Sequence, residues 1–211
     1  LSDVAAGYRT DYDRKLAQLV IVRMQQAINT TGNAVEFNPT DSIDALVKFI
    51  KATTKVSDTV VNGKFVFNAK TKAQLAEYIF RAAANGELGK ETMTTGETQT
   101  IFGYPYVVVP NDLMPTLGEA DTRSFKAANI ETNVIETVTI NSPVFYGDLS
   151  EFRGKTSGSL KYDVSAEASY EVNNEVRSAW QRNELIIRGS FNRGGYIADT
   201  SVIAGLTSKS N

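Results

Sequence analysis

The sequence predicts an α+β fold, with helices gathered in the first half of the chain and antiparallel strands filling its last third. Three observations carry this. The stretches Pro143-Val-Phe-Tyr-Gly-Asp-Leu149, Asn183-Glu-Leu-Ile-Ile-Arg-Gly-Ser-Phe191 and Ile203-Ala-Gly-Leu206 are rich in Val, Ile, Tyr and Phe and broken by Gly and Asn, the pattern of strands with one buried face. Segments near residues 11–28, 41–53 and 71–84 repeat apolar residues at helical spacing. Between the first and second of the strand stretches lies a long polar segment that reads as an extended hairpin.

Taken in order, Thr10 or Asp11 caps a helix through about Ile28. Leu16, Leu19, Val20, Arg23, Met24, Ala27 and Ile28 fall on one stripe of it, and Arg23 is the one polar member. Gly32 supplies a left-handed stop. A second helix starts at Thr40 or Asp41, and Ile43, Leu46, Val47 and Ile50 have the spacing of a core-facing side. Asn62-Gly63 signals a tight turn before a short strand, Lys64-Phe-Val-Phe67. Asn68 or Thr71 caps a third helix to about Ala84, with Leu75, Tyr78, Ile79 and Ala82 inward and Asn85-Gly86 as its stop.

Gly89 to Gly96 is polar and reads as a loop. Thr98 to Val109 reads as two strand segments with a bend, and Pro105, which cannot donate to a ladder, belongs at an edge or bulge. Asn111 to Gly118 reads as a loop, and Ile130 to Ile140 as a weakly alternating strand. Leu160, Tyr162 and Val164 alternate on one side, followed less regularly by Tyr170, Val172, Val176 and Trp180. Ala166-Glu-Ala-Ser169 is the expected hairpin tip.

Composition narrows the function classes. A chain of 211 residues makes one domain or two small lobes and buries roughly 70% of its unfolded surface. Apolar content of 42%, charged content of 22% and a net charge of −2 are ordinary for a globular protein and argue against disorder. There is no Cys, hence no disulfide and no thiolate metal site. There is no His either, which removes the commonest general base and transition-metal ligand. A protein whose main task is gripping nucleic acid carries a basic excess that is missing here. No apolar run approaches the roughly 20 residues of a membrane helix, and Leu1-Ser-Asp-Val-Ala-Ala-Gly7 lacks the charged start and apolar core of a signal peptide. The chain does not begin with Met, so the expectation is a processed or truncated product in a reducing, cytoplasmic setting.

The chemistry-bearing candidates all have plainer readings. Asp11/Asp13, Glu119/Asp121 and Asp148/Glu151 read as solvated turns or helix starts rather than acid–base pairs. Asp112 with Glu119 and Asp121 is the least improbable cation site, without the spacing of a calcium loop. Gly189 to Gly195, with Arg188 and Arg193, lacks a phosphate-loop pattern and reads as a glycine-permitted turn. Trp180 among Arg177, Gln181 and Arg182 reads as a partly buried strand aromatic rather than a base-stacking platform. No catalytic, cofactor-binding or metal-binding residue is assigned, and no cofactor is expected.

The serial order of these segments resembles the major capsid proteins of tailed phages with the Hong Kong 97 fold. The order is a long helix, a second helix, "KFVFNAKTKAQL", "GYPYVVVPND", "VFYGDLSEF", a polar hairpin and "LIIRGSF", over roughly residues 10 to 206. The resemblance implies a spine helix beside a long antiparallel hairpin, the peripheral domain, and a mixed sheet flanked by helices, the axial domain. Residues 1–33 and 149–183 would form the peripheral-type lobe, and 34–148 with 184–211 the axial-type lobe. Only about nine residues precede the spine helix, where family members carry an arm and an extended loop, so this chain is expected to lack both.

The implied function is a structural shell subunit without enzymatic activity, self-assembling into hexamers and pentamers of an icosahedral phage head. Its partners would be copies of itself and, in a virion, packaged DNA held by weak non-specific contacts, with no membrane. Assembly would take place in the cytoplasm of the bacterial host. Ala166, Glu167, Ala168, Ser169, Arg153 and Lys155 are the candidate assembly contacts. Without an arm, the 211-residue chain is expected to be a monomer or small oligomer. Two other readings stay open: an encapsulin-like compartment shell, and a small α+β ligand-binding or carboxylate-based enzyme domain.

Overall fold

Two side chains, Asn68 and Asp41, start helices in the sequence-predicted places, and most of the architecture follows from what those helices cover. The computed structural model describes residues 2–38, 41–56, 58, 60, 62–85, 93–95, 99–119, 121–129, 132, 134–165, 169–172, 175–178 and 186–208. Their contacts group into two units. One comprises Leu1–Arg9 with Gly154–Gly195, the other Thr10–Arg153 with Tyr196–Asn211.

The larger unit is built on a seven-stranded mixed sheet. Its strands are β1 (Ala34–Phe37), β2 (Lys64–Asn68), β3 (Met93–Thr95), β4 (Gln99–Ile101), β5 (Tyr104–Val109), β8 (Val144–Gly147) and β13 (Ile203–Ser208), in the order β1-β13-β8-β2-β5-β4-β3. β1 runs parallel to β13 and β2 parallel to β5, while the other neighbours are antiparallel. A separate antiparallel pair is formed by β6 (Arg123–Ala128) and β7 (Ile135–Ile140).

Strand alternation sends side chains to two cores. Phe65, Phe67, Tyr106, Val144, Tyr146, Ala204 and Leu206 face α2 (Ser42–Thr54) and α3 (Ala69–Ala84). Val66, Phe145 and Ile203 face the opposite way, toward Ile21, Met24 and Ile28 of α1 (Ser2–Thr31) and Val138 and Ile140 of β7.

α1 starts at Ser2, earlier than the Thr10 or Asp11 cap expected from the sequence. It ends as expected: Gly32 has φ +71° and donates its N–H to the Ile28 carbonyl at 2.8 Å, the left-handed closure that glycine permits. Its second half is buried more widely than one stripe predicts. Ile21, Val22, Gln25 and Gln26 are buried as well as Met24, Ala27 and Ile28, because the sheet lies on one side and the β6–β7 hairpin on another.

The polar groups this encloses are paired. Gln25 donates to Asn29 Oδ1 at 3.0 Å and accepts from the Asn141 N–H at 3.3 Å. Gln26 Nε2 donates to the Ala128 carbonyl at 3.2 Å. Arg23, the odd residue of the predicted stripe, donates to that same carbonyl at 2.6 Å and to Gln26 Oε1 at 2.8 Å.

α2 is capped by Asp41, whose Oδ1 accepts from the Asp44 N–H at 3.1 Å, while Asp44 accepts from the Asn38 N–H at 2.8 Å. Of the predicted inward residues Ile43, Leu46, Val47 and Ile50, Leu46 is buried, Val47 and Ile50 are not, and the Ile43 side chain lies outside the described ones. Ala45, Leu46, Phe49 and Ala52 are buried, whereas Val47 is 55% and Ile50 39% exposed. The helix is turned so that Phe49, its largest apolar side chain, stacks on Phe65 with ring centroids 3.9 Å apart; burying the larger group decides the phase.

α3 matches its expected stripe, with Thr71, Leu75, Ile79 and Ala82 buried. Asn68 is its cap, accepting from the Thr71 N–H at 2.7 Å, and Asn85 closes it.

The remaining turns and strands refine the sequence reading. Asn62-Gly63 is not a hairpin turn, since β2 pairs with β5 and β8 rather than with the segment before it; Gly63 is where the Tyr146 ring and hydroxyl leave no room for a Cβ. Met93–Thr95 within the supposed polar loop is a strand, paired with β4. The two strand segments with a bend expected over Thr98–Val109 are β4 and β5, and the bend is a two-residue turn at Phe102 (φ +50°) and Gly103 (φ +82°), the primed geometry of tight hairpins. Pro105 stands at the start of β5, ahead of its pairing with β2. β6 was not foreseen, because its half-buried alternation mixes Arg123 with Phe125 and Ala127 and so carries a weak apolar signal.

In the smaller unit, β9 (Phe152–Ser165) pairs with β12 (Ile186–Ile197). β10 (Ser169–Val172) pairs antiparallel with β11 (Glu175–Ser178), with Val172 opposite Glu175. Ser169, the last residue of the predicted tip, lies in β10 opposite Ser178, while Ala166, Glu167 and Ala168 lie outside the described residues. Gly189 and Gly195, read as turn residues, lie inside continuous β12.

Candidate functional site

The Gly147-Asp148 dipeptide shows how local chemistry builds the most organised corner of the larger unit. Gly147 ends β8 opposite Ile203 of β13, and a Cβ there would run into the Val202 carbonyl and the Ile203 side chain. Asp148 then accepts from the Ser150 N–H at 2.9 Å and starts a 3-10 turn, Leu149–Glu151. Asp199 repeats the device. It accepts from the Ser201 N–H at 2.9 Å and hydroxyl at 2.6 Å and starts a 3-10 turn, Thr200–Val202, that leads into β13. The Ser201 hydroxyl, then its N–H, hold the Asp199 carboxyl below the ordinary carboxylate range. The Ala198 N–H donates to the Glu151 carbonyl at 2.9 Å and ties the two turns together.

Beside this corner lies an open cleft of about 730 Å³, lined among others by Thr53, Lys64, Tyr104, Tyr146, Asp148 and Ser150. Tyr146 packs edge-on to Tyr104, with ring centroids 5.6 Å apart. Burial, then the charges of ionised Tyr104 and of Asp148, push the Tyr146 hydroxyl above the usual tyrosine range. A neutral phenol, one ammonium and one capped carboxylate can hold a polar group. None of them is placed as a nucleophile against a base.

Of the carboxylates singled out in the sequence, Asp11, Asp112, Asp121, Asp148 and Glu151 face cations or backbone amides. Asp11 pairs with Lys15 at 3.0 Å, Asp121 with Arg123 at 2.9 Å and Glu151 with Arg153 at 3.7 Å. Asp112 pairs with Arg14. Asp121 also accepts from the Thr116 N–H at 3.1 Å, so the segment holding Asp112, Glu119 and Asp121 is a tied loop. Among the described residues no three acidic side chains converge on a cation position. The loop is also more buried than its punctuation suggests: Leu113, Met114 and Leu117 are buried. Desolvation lowers the pKa of Arg23, whose role is structural, as its carbonyl partner shows.

Of the expected assembly contacts, Arg153 is exposed and ion-paired with Glu151, and Ser169 is exposed in β10. Lys155 lies within β9. Ala166, Glu167 and Ala168 lie outside the described residues, as does Trp180. The structure thus brings Arg153 and Glu151 together and adds exposed apolar positions that pattern reading had placed in the core or passed over. Among these are Val47 and Ile50 on α2, Phe80 on α3, and Val134 and Ile135 at the β6–β7 hairpin, the last two 64% and 72% exposed.

No protein-family model matches the sequence, and no curated protein matches it. The fold is shared with solved phage structures. A structure from Microbacterium phage Oxtober96 superposes with a TM-score of 0.56 at 15% identity, covering 90% of this chain and 54% of that one. One from Mycobacterium phage Adephagia gives 0.54 at 9% identity, covering 89% and 54%. One from Mycobacterium phage Ogopogo gives 0.53 at 19% identity, covering 86% and 55%. The chain spans about half the length of each of these.

Proposed function

We propose that this chain is a structural subunit of an icosahedral phage shell of the Hong Kong 97 type, assembling with copies of itself into hexamers and pentamers. The observation that carries this is the shared fold over 86–90% of the chain with structures from three phages, joined to the serial order of helix, Gly-Asp strand, hairpin and terminal strand in the sequence. In this reading the unit of Leu1–Arg9 with Gly154–Gly195 is the peripheral-type lobe and the sheet-bearing unit the axial-type lobe. The protein resides in the virion after assembly in the host cytoplasm.

The chemistry is surface complementarity rather than turnover. Charges of both signs are interspersed along the chain, 22 Lys and Arg with 24 Asp and Glu, which suits salt-sensitive contacts that let misplaced subunits leave. A net charge of −2 leaves contact with packaged DNA weak and non-specific.

The test is to purify particles from bacteria expressing the gene that encodes this chain and to analyse their protein and contents. A phage shell predicts particles with this chain as the most abundant protein. In infected or induced cells they hold nuclease-protected DNA. Particles that enclose one protein species and no DNA under those conditions would instead indicate a compartment shell. A catalytically active small protein in no particle at all would overturn the structural reading.

A further inference from the structure

The open cleft of about 730 Å³ lies wholly within the larger unit and has the size of a small-molecule site. It sits at one end of the sheet, where β2 and β5 begin and β8 ends. Tyr146 in its wall is only 5% exposed, and its hydroxyl lies beside Gly63, in the space a Cβ there would need. That hydroxyl has no hydrogen-bond partner among the described residues. A buried hydroxyl is costly to leave unpaired, and the cleft is where a partner can reach it.

Polar groups of both signs line the same cleft. Lys64, the first residue of β2, stands opposite Gly147 of β8, and Asp148 follows Gly147. Among the described residues Lys64 has no carboxylate and Asp148 no cation within ion-pair reach. One Asp148 oxygen accepts from the Ser150 N–H, and the other has no hydrogen-bond partner among the described residues. The Asn62 amide and the Ser150 hydroxyl also line the cleft without a partner among the described residues. Half-buried Tyr104 adds an aromatic wall.

This set of groups selects its ligand by elimination. A lone anion meets the Asp148 carboxylate and a lone cation meets the Lys64 ammonium, so neither is favoured. An extended peptide finds no free backbone ladder, because the lining strands β8, β2 and β5 are paired with one another. A neutral ligand dense in hydroxyls fits. Each hydroxyl both donates and accepts, which suits a phenol, an ammonium or amide donor and a carboxylate acceptor alike. We propose that the cleft binds a carbohydrate, a mono- or disaccharide unit. Asp148 accepts from its hydroxyls, Tyr146, Lys64 and Asn62 donate to them, and the ring of Tyr104 packs against its C–H groups. The inference goes beyond the shell reading and does not depend on it.

The test is titration calorimetry of the full chain with glucose, galactose, mannose, N-acetylglucosamine, maltose and lactose. Inorganic phosphate, putrescine and glutamine serve as an anion, a cation and a zwitterion. At least one sugar should bind saturably and more tightly than these three. Tyr146→Phe and Asp148→Asn should each weaken it about tenfold, the loss expected for one hydrogen bond. Tyr146→Phe keeps the packed ring, and Asp148→Asn keeps the oxygen that caps the turn. Lys64→Gln, at an exposed position, gives a third variant that does not touch the core and should also weaken binding. No saturable sugar binding overturns the assignment, as does tighter binding of phosphate, putrescine or glutamine. So does sugar binding left unchanged by these substitutions. Particle formation is scored separately by electron microscopy, so failure of the shell reading and failure of the sugar site are read from different measurements.

Discussion

The Asn68 side chain donates to the Met114 carbonyl at 3.0 Å while its own oxygen caps the first turn of α3 at Thr71. It also donates to the Pro115 carbonyl at 3.0 Å, and the Thr71 hydroxyl accepts from the Leu117 N–H at 3.0 Å. One fully buried amide therefore joins strand, helix and loop. Asn68→Ala removes a cap worth about 1 kcal/mol and leaves buried carbonyls unpaired at about 1–3 kcal/mol. Urea denaturation should show a loss of about 3 kcal/mol. Asn68→Asp, which keeps the cap and loses the donors, should also destabilise; a neutral effect would show that the loop contacts contribute nothing.

Gly147→Ala should destabilise by about 2–3 kcal/mol, because its Cβ would meet the Val202 carbonyl, which is backbone and cannot step aside. Gly63→Ala meets the Tyr146 side chain instead. Its cost should shrink when Tyr146→Leu is made in the same chain, a coupling read from a double-mutant cycle. Strict additivity would contradict the close approach.

The phase of α2 is open to a direct check. Phe49→Ala should cost about 3–5 kcal/mol, the range for a buried aromatic. Ile50→Ala in the dissociated protein should cost well under half of that. Thermal or urea unfolding of both variants decides it, and the reverse ranking would restore the face that simple periodicity predicts.

Tyr146 gives an alkaline prediction. Its hydroxyl is held neutral above the usual tyrosine range by burial, with Tyr104 and Asp148 adding to it. A group whose folded pKa lies above its unfolded value of about 10 contributes stability in full below that pH and loses it as pH rises through the folded value. Stability should fall above about pH 10, and Tyr146→Phe should make that fall shallower. An unchanged alkaline limb would exclude Tyr146 as the group responsible.

Element identity was legible where one residue type settles the backbone: Gly32 as a left-handed stop, Asn68 as a cap, and the Val-Phe-Tyr-Gly run as a buried strand. The face of α2 was not, because spacing alone treats Val47 and Phe49 alike, whereas the core of Phe65 and Phe67 selects the larger ring. Asn62-Gly63 misled for a tertiary reason, a glycine required by a tyrosine more than 80 positions away in the chain. Alternation does not reveal a half-buried strand such as β6, whose buried-side residues Arg123, Phe125 and Ala127 include a charged one, while its partner β7 supplies the fully buried Val138 and Ile140. The expected contact residues at 166–168 drew on the order of motifs. The exposed apolar pairs on α2 and at the β6–β7 hairpin needed the folded surface to be seen.

The most direct test of the shell assignment is electron microscopy of the purified product of the gene encoding this chain, over a range of salt concentrations. The account predicts closed shells of uniform diameter whose repeating subunit carries the seven-stranded sheet with α2 and α3 on one face and α1 on the other. A folded protein that stays a small discrete species under every condition, in the same hands and at the same concentration, would contradict it.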